Sequence, residues 1–289
     1  MELKAADVSK SYRNKNALRL FSSCFVPGLY GLLGPNGAGK STLMNILVGL
    51  RRPTEGQVTF DGEEICALGT KYRMLLGYLP QDVGFYQEFS GKKMLQYMAA
   101  LKGIEDKRET ASVADALLEK VNLSADGHRK IGHYSGGMKQ RLGIAQALIG
   151  DPQILLFDEP TAGLDPKERI RFMNILSEFA STKIVLLATH IVSDVEQIAG
   201  QILFLKEGQL ISQGSIPQCL SLLEGKIWEF VCTHAEYDAL SACFSVSKVV
   251  SENNRLRVRL VADAPPCEDA QNVAPTLADV YIHFFGEAE

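Results

Sequence analysis

Residues 31–42, GLLGPNGAGKST, limit what this chain can fold into more than any other stretch. Such a segment is poor helix and poor strand material. Yet an apolar run at 29–33 precedes it and helical spacing at 41–48 follows, so the sequence predicts a strand, a tight turn and a helix. Gly34, Gly37 and Gly39 carry no Cβ, which lets the backbone bend sharply and come close to a bulky ligand. The N–H groups of such a loop can converge on an anion. The helix behind it adds unpaired N–H groups and a positive dipole end. Lys40 contributes a full positive charge, and Ser41 a hydroxyl suited to Mg²⁺. Together these features predict a phosphate site.

Gly34, four residues, then Gly39-Lys40-Ser41 fits the P-loop pattern GxxxxGK(S/T). The strand before and the helix after separate it from an ordinary Gly-rich turn. The pattern specifies a nucleoside triphosphate and leaves open what the energy is for.

A chain of 289 residues accommodates one large or two modest domains. With 46% hydrophobic and 22% charged residues it can bury a substantial core, which argues against disorder. Its net charge is −4 and no polybasic run occurs, so no nucleic-acid partner is expected. The cysteines Cys24, Cys66, Cys219, Cys232, Cys243 and Cys267 show no CxxC spacing, which predicts reduced thiols rather than a disulfide or zinc framework. No apolar signal segment opens the sequence, and runs such as 184–188 and 202–205 are too short to cross a bilayer. The chain is expected to be soluble by itself, with any membrane part supplied by another chain.

Strands are predicted at 2–8, 28–33 and 57–60, with turns at Pro53-Thr54-Glu55-Gly56 and Asp61-Gly62. Residues 94–101 and 110–121 have helical spacing. From 153 onward strands at 154–157, 184–188 and 201–206 alternate with helices at 167–180 and 192–199. Alternation of this kind implies a parallel sheet covered by helices, here interrupted by a helical insert. The main domain is predicted to close near residue 222. Beyond it, strands at 227–233, 246–250 and 255–261, a hairpin turn at Asn253-Asn254 and a loop at 263–275 predict a small α+β unit. Thr276 caps its final helix with Asp279 at the capping-box position, and Leu277, Val280, Tyr281 and Phe284 form the apolar face.

Two further stretches carry chemistry. Residues 154–159, ILLFDE, form an apolar strand ending in two acids, which places carboxylates at the C-terminal edge of the sheet. Asp158 there can help hold Mg²⁺, leaving Glu159 to orient or deprotonate a water. The competing reading is a solvated acidic strand end. Residues 134–141, YSGGMKQR, read as a helix start with Ser135 as N-cap and a body from 138 to 148. Capping accounts for the serine but not for Gly136 and Gly137, since glycines in a first turn cost stability. They fit a site where an anion approaches exposed N–H groups.

At this point the chain resembles the ATP-binding cassette (ABC) ATPases. GPNGAGKST fits the family P-loop, and YSGGMKQR resembles the signature LSGGQ, with Tyr134 and Met138 departing at its two ends. Gln81 in GYLPQD falls at the Q-loop, Asp158-Glu159-Pro160 at the Walker B acids, Gly163-Leu164-Asp165 at the D-loop and His190 in ATHI at the switch histidine. Tyr12 lies upstream of the P-loop, where the family places an adenine-stacking aromatic. The motifs occur in family order over roughly residues 2–220. Each has a local alternative: a surface glutamine after Pro80, a helix N-terminal histidine, and an N-cap at Asp165 with Pro166 and Glu168 behind it.

The resemblance implies an α/β fold: a P-loop ABC ATPase core with a mostly parallel sheet, an antiparallel β subdomain and a helical subdomain at about 82–150, together spanning 1–222, plus the small C-terminal α+β appendage at 225–289. It implies that Gly34, Pro35, Asn36, Gly37, Ala38, Gly39, Lys40, Ser41 and Thr42 bind ATP, with Tyr12 against the base. Ser135, Gly136, Gly137 and Asp165 would reach the ATP of an opposing subunit. Ser41, Gln81 and Asp158 would hold Mg²⁺, while Glu159 as base, His190 and Gln81 carry hydrolysis. The implied partners are a second copy or a homologous ATPase subunit, paired head to tail, and an integral membrane permease. That places the chain in the cytoplasm, peripheral on the inner face of the membrane.

Two functions fit such a cassette: the motor of a transporter, or a non-transport ABC ATPase acting on DNA or the ribosome. The absence of a coiled-coil insertion and of a second cassette favours transport. The stretches PTLADVYIHFFGE and YSGGMKQRLGIAQAL are similar to bacterial cassettes of drug and antibiotic-peptide exporters, so export is the expected direction. Three aromatics follow Gln81. Phe89 is expected in the core, and at least one of Phe85 and Tyr86 on a surface groove that receives a partner.

Overall fold

The computed structural model describes residues 1–13 and 15–286; residues 14 and 287–289, which the predicted domains include, lie outside the described ones. Strands β1 (Leu3–Tyr12) and β2 (Lys15–Phe25) pair antiparallel. β3 (Gly28–Leu33) runs through the Gly-rich loop into α1 (Lys40–Leu47). β4 (Glu55–Phe60) and β5 (Glu63–Glu64) complete an antiparallel sheet of order β2-β1-β4-β5. Short helices α2 (Ile65–Leu68) and α3 (Thr70–Met74) lead to β6 (Leu76–Leu79).

Helices α4 (Gly91–Leu101), α5 (Lys107–Lys120) and α6 (Gly136–Ala147) form the helical segment. The chain then alternates: β7 (Ile154–Asp158), α7 (Pro166–Phe179), β8 (Ile184–Thr189), α8 (Val192–Val195), β9 (Gln201–Lys206), β10 (Gln209–Gly214) and α9 (Ile216–Ser221). The central sheet has the order β10-β9-β3-β8-β7-β6 and is parallel except for β10.

Both faces of this sheet are covered, which is why β7 and β8 are apolar almost without interruption and wholly buried. Successive side chains still alternate between the faces. Ile154 and Leu156 join a core shared with β1, β2, β4 and α1, whereas Leu155 and Phe157 join a core shared with the helical segment and α7. Among the described residues no helix is long and apolar enough to cross a membrane.

The last stretch holds β11 (Ile227–Cys232), α10 (His234–Ser241), β12 (Ser245–Glu252), β13 (Arg255–Val261), β14 (Gln271–Asn272) and α11 (Leu277–Phe285). Its antiparallel sheet has the order β12-β13-β11-β14. Asn253 and Asn254 both take positive φ, 46° and 67°, as a tight hairpin between right-twisted strands requires. Thr276 and Asp279 form the reciprocal capping box that starts α11.

Several elements depart from the sequence expectation. β2 was not anticipated, because register shifts in its pairing with β1 break the two-residue alternation and leave Leu20 exposed at φ 49°. β6, β10 and α10 are short and were also not anticipated. α5 begins well before residue 110, because Asp106 caps it by accepting from the Arg108 and Glu109 N–H groups. The helix expected at 192–199 is only the single turn α8.

Candidate functional site

The Gly-rich loop is clamped by backbone from elsewhere in the chain. A Cβ at Gly34 would collide with the Leu205 carbonyl of β9, and one at Gly39 (φ 108°) would lie 2.5 Å from the Ala17 carbonyl of β2. The Gly208 N–H donates to the Ala38 carbonyl at 2.8 Å. Glycine is therefore needed as much for this packing as for the ligand. Inside the loop the Lys40 Nζ donates to the Gly34 carbonyl at 2.7 Å and to that of Pro35 at 3.3 Å. Burial lowers the Lys40 ammonium from the usual lysine range, and the charges of Glu159 and Asp158 oppose that shift.

In front of the loop lies a cleft of about 370 Å³. Asn36, Gly37, Gly39, Lys40, Ser41 and Thr42 of the loop and helix start line it, together with Gln81, Asp158 and Glu159. Tyr12, at the end of β1, also lines the cleft, as do Lys15 and Ala17 of β2, two residues that the sequence reading missed. Tyr12 is 41% exposed, so its ring is open to a ligand, and the Lys10 ammonium lies 5.3 Å from the ring centroid.

The two acids end β7 in different surroundings. Asp158 is 1% exposed, and its Oδ1 is buried with no hydrogen-bond partner among the described residues. Burial pushes its carboxyl above the usual aspartate range, and the Ser41 hydroxyl beside it pulls the other way. A buried carboxylate oxygen without a partner is rare and calls for a ligand. With the Ser41 hydroxyl adjacent, the donor set fits Mg²⁺, a hard cation that takes oxygen ligands.

Glu159 turns the chain at φ 50°, with its N–H donating to the Ala188 carbonyl at 2.9 Å. One carboxylate oxygen lies 3.0 Å from His190 Nδ1 and 3.6 Å from Lys40 Nζ, and the other accepts from the Thr189 hydroxyl at 3.3 Å. The structure thus gathers Lys40, Glu159 and His190 into one contact. The His190 side chain is half exposed.

The other predicted residues stand apart from the cleft. Ser135 caps α6 by accepting from the Met138 N–H at 3.2 Å, and Gly136 faces open space. Gly137 packs on the Gly163 carbonyl, 2.9 Å from where a Cβ would sit. Asp165 caps α7 by accepting from the Glu168 N–H at 2.9 Å. Glu168 does not close a reciprocal box; its carboxylate accepts from Asn122 Nδ2 at 2.8 Å and faces Arg141. None of Ser135, Gly136, Gly137 or Asp165 lines the P-loop cleft of its own chain.

A buried acid, also missed, ties these segments together. Asp194, 2% exposed, accepts from the Thr161 hydroxyl at 2.6 Å and pairs with Arg169 on α7, whose guanidinium also donates to the Ser193 hydroxyl at 3.1 Å. The segment after Glu159, the helix after Asp165 and the helix after His190 thus meet at one carboxylate.

Comparison with known proteins agrees with this geometry. A sequence model described as ABC transporter matches residues 24–162. The chain is similar to Nod factor export ATP-binding protein I of Rhizobium sp., 37% identical over 217 residues that cover 73% of this chain and 69% of that one. It is also similar to the daunorubicin resistance ATP-binding protein DrrA3 of Streptomyces coeruleorubidus, 30% identical over 297 residues covering 96% and 94%. Among solved structures it resembles the dimer of MJ0796, a bacterial ABC transporter cassette, with a TM-score of 0.70 at 28% identity over 74% of this chain and 98% of that one. The ordered motifs, the cleft and these likenesses place the chain in the ABC transporter family, as an ATP-binding subunit.

Proposed function

We propose that this chain is the ATP-hydrolysing motor of an exporter, working as a head-to-tail pair beneath a separate membrane permease. The observation that carries this reading is the separation of the Ser135 helix start from the P-loop cleft of the same chain. The first turn of α6 offers a hydroxyl and unpaired N–H groups to an anion. It does not line the cleft of its own chain, and in this reading a second copy brings the two together. ATP then lies between the P-loop of one copy and Ser135, Gly136 and Gly137 of the other, near Asp165.

Within the cleft the β- and γ-phosphates sit against the loop N–H groups and Lys40, and the base stacks on Tyr12. Ser41, Asp158 and Gln81 would hold Mg²⁺, which when bound would screen the phosphate charge. Glu159 takes the proton from the attacking water, and His190 holds the γ-phosphate. The Lys40–Glu159 contact must open as ATP enters, because the ammonium turns to phosphate and the carboxylate to water.

The export direction rests on the relatives named for Nod factor export and daunorubicin resistance. In this reading the chain is cytoplasmic and held at the inner face of the membrane by its permease. The composite site is tested by mixing Ser135→Arg with Lys40→Ala. Each variant alone lacks one half of every site, whereas a mixed pair holds one intact site. Partial recovery of Mg²⁺-ATPase in the mixture is expected, and no recovery at any ratio, with mixed pairs confirmed by cross-linking, refutes the sharing.

A further inference from the structure

The small C-terminal unit is joined to the catalytic machinery by α11. This helix packs against α8 and β9 as well as against its own sheet. Leu277 and Val280 are fully buried, in the apolar cluster that also holds Val195 and Ala199. Glu196, just past α8, accepts from the Leu277 N–H at 3.3 Å, which puts a carboxylate at the positive end of α11. At the other end Phe284 stacks on Phe204 of β9 at 4.9 Å, and Lys206 Nζ donates to the Phe284 carbonyl at 2.7 Å.

The opposite side of α11 is fixed just as firmly. Asp279, 1% exposed, receives Arg259 Nη2 of β13 at 2.7 Å and the Ser247 hydroxyl of β12 at 2.5 Å. One buried carboxylate therefore ties α11 to two strands of the C-terminal sheet.

α8 depends on such support. It is one turn long and has no side-chain cap, and a single turn does not hold its own geometry. Beyond its packing on β3 and β8, two further contacts secure it: Asp194 with Arg169 and Thr161, and α11. His190 lies two residues before it and reaches Glu159 at 3.0 Å.

We infer that α11 is a positioning element for His190: it braces α8 from behind, and so makes the C-terminal sheet and the ATP cleft one mechanical unit. The inference rests on the reading of His190 as the group that holds the γ-phosphate. A histidine with slack aligns the γ-phosphate poorly, and small misplacements at a reacting centre cost rate rather than binding. ATP affinity, set at the P-loop, is left alone.

The test uses the full chain with Val280→Ala and Glu196→Gln, each also made in the His190→Ala background. Glu196 is exposed and opens no cavity when changed, so it keeps the measurement valid if Val280→Ala fails to fold. The expected result is a three- to tenfold fall in kcat with Kd for ATP within twofold, and no further fall when His190 is already alanine. An unchanged kcat in the folded variants, an equal fall in both backgrounds, or a loss of ATP affinity in step with kcat each overturns the brace. A normal kcat for His190→Ala alone overturns the reading of His190 itself, so the two failures are told apart.

Discussion

Glu159→Gln keeps the shape of the side chain and removes only its charge, so it separates two roles proposed for one carboxylate. The first is proton acceptance. General-base catalysis contributes about 10²- to 10⁴-fold, so kcat should fall by at least about 10²-fold. The second is competition with ATP. In the free protein Lys40 Nζ lies 3.6 Å from the Glu159 carboxylate, and it must exchange that contact for phosphate. Unit charges at this distance interact by roughly 4–5 kcal/mol at an effective dielectric of about 20. Lys40 keeps its carbonyl contacts with Gly34 and Pro35, and water enters the open cleft, so most of this is screened. A net gain of about 1 kcal/mol remains, about fivefold in ATP affinity. Single-turnover hydrolysis and equilibrium binding of ATP with Mg²⁺ read the two effects separately. Hydrolysis near the parent rate refutes Glu159 as base. Unchanged or weaker ATP binding refutes the Lys40–Glu159 pair as a competitor.

Two other changes probe the cleft and the surface beside it. Asp158→Asn removes the negative charge of a buried carboxylate, so it should abolish Mg²⁺-dependent ATPase while raising the melting temperature of the nucleotide-free protein at pH 7 by a few degrees. The sign follows from burial: the folded-state pKa of Asp158 is raised, so the penalty is present above that pKa and disappears as pH falls through it towards the unfolded value. Melting curves across this acid range should therefore converge for parent and variant, and a constant difference refutes the assignment. Tyr86→Ala targets the exposed aromatic cluster proposed to receive the permease, since Phe85 is buried whereas Tyr86 is 57% exposed with its ring 5.2 Å from Phe89 and 6.0 Å from Tyr97. Folding and ATP binding should persist while co-purification with the permease drops; a much lower melting temperature, or full assembly with normal transport, refutes that role.

What the sequence made legible follows from where the physical cause lies. The P-loop, the acids at the end of β7 and the capping box of α11 were readable because each depends on residues a few positions apart. β2 was not, because its bulged pairing with β1 hides the alternation, and with it went Lys15 and Ala17 of the cleft. The helix α10 left a readable signal, Thr233 with Glu236 as a capping box, that passed unused. The meeting of Thr161, Arg169 and Asp194 depends on the return of three distant segments to one point, and no local spacing announces it. The apolar face of α11 was visible, but its docking on α8 as well as on its own sheet was not.

In the proposed pair, the position of Glu159 lets a site split between two copies act as a switch. Its backbone is held at a positive φ, a costly conformation for a residue with a Cβ. It is pinned on both sides: its N–H donates to Ala188 on β8, and its carbonyl, with that of Pro160, accepts from Gln140 Nε2 at 3.3 and 2.9 Å. Gln140 lies on α6, within two turns of Ser135, and Gly137 of the same helix rests on Gly163 beside Asp165. A shift at residue 159 when the γ-phosphate is lost therefore bears on the helix start that faces the other copy. Binding energy alone does not drive such a change, since a ligand moves an equilibrium only by its difference in affinity for the two states. The γ-phosphate supplies that difference, because in the proposed pair it is the group touched by Lys40 and His190 of one copy and by Ser135 of the other. Its loss removes contacts from both subunits at once, and the paired state is then left with the repulsion between two chains of like net charge, −4 each.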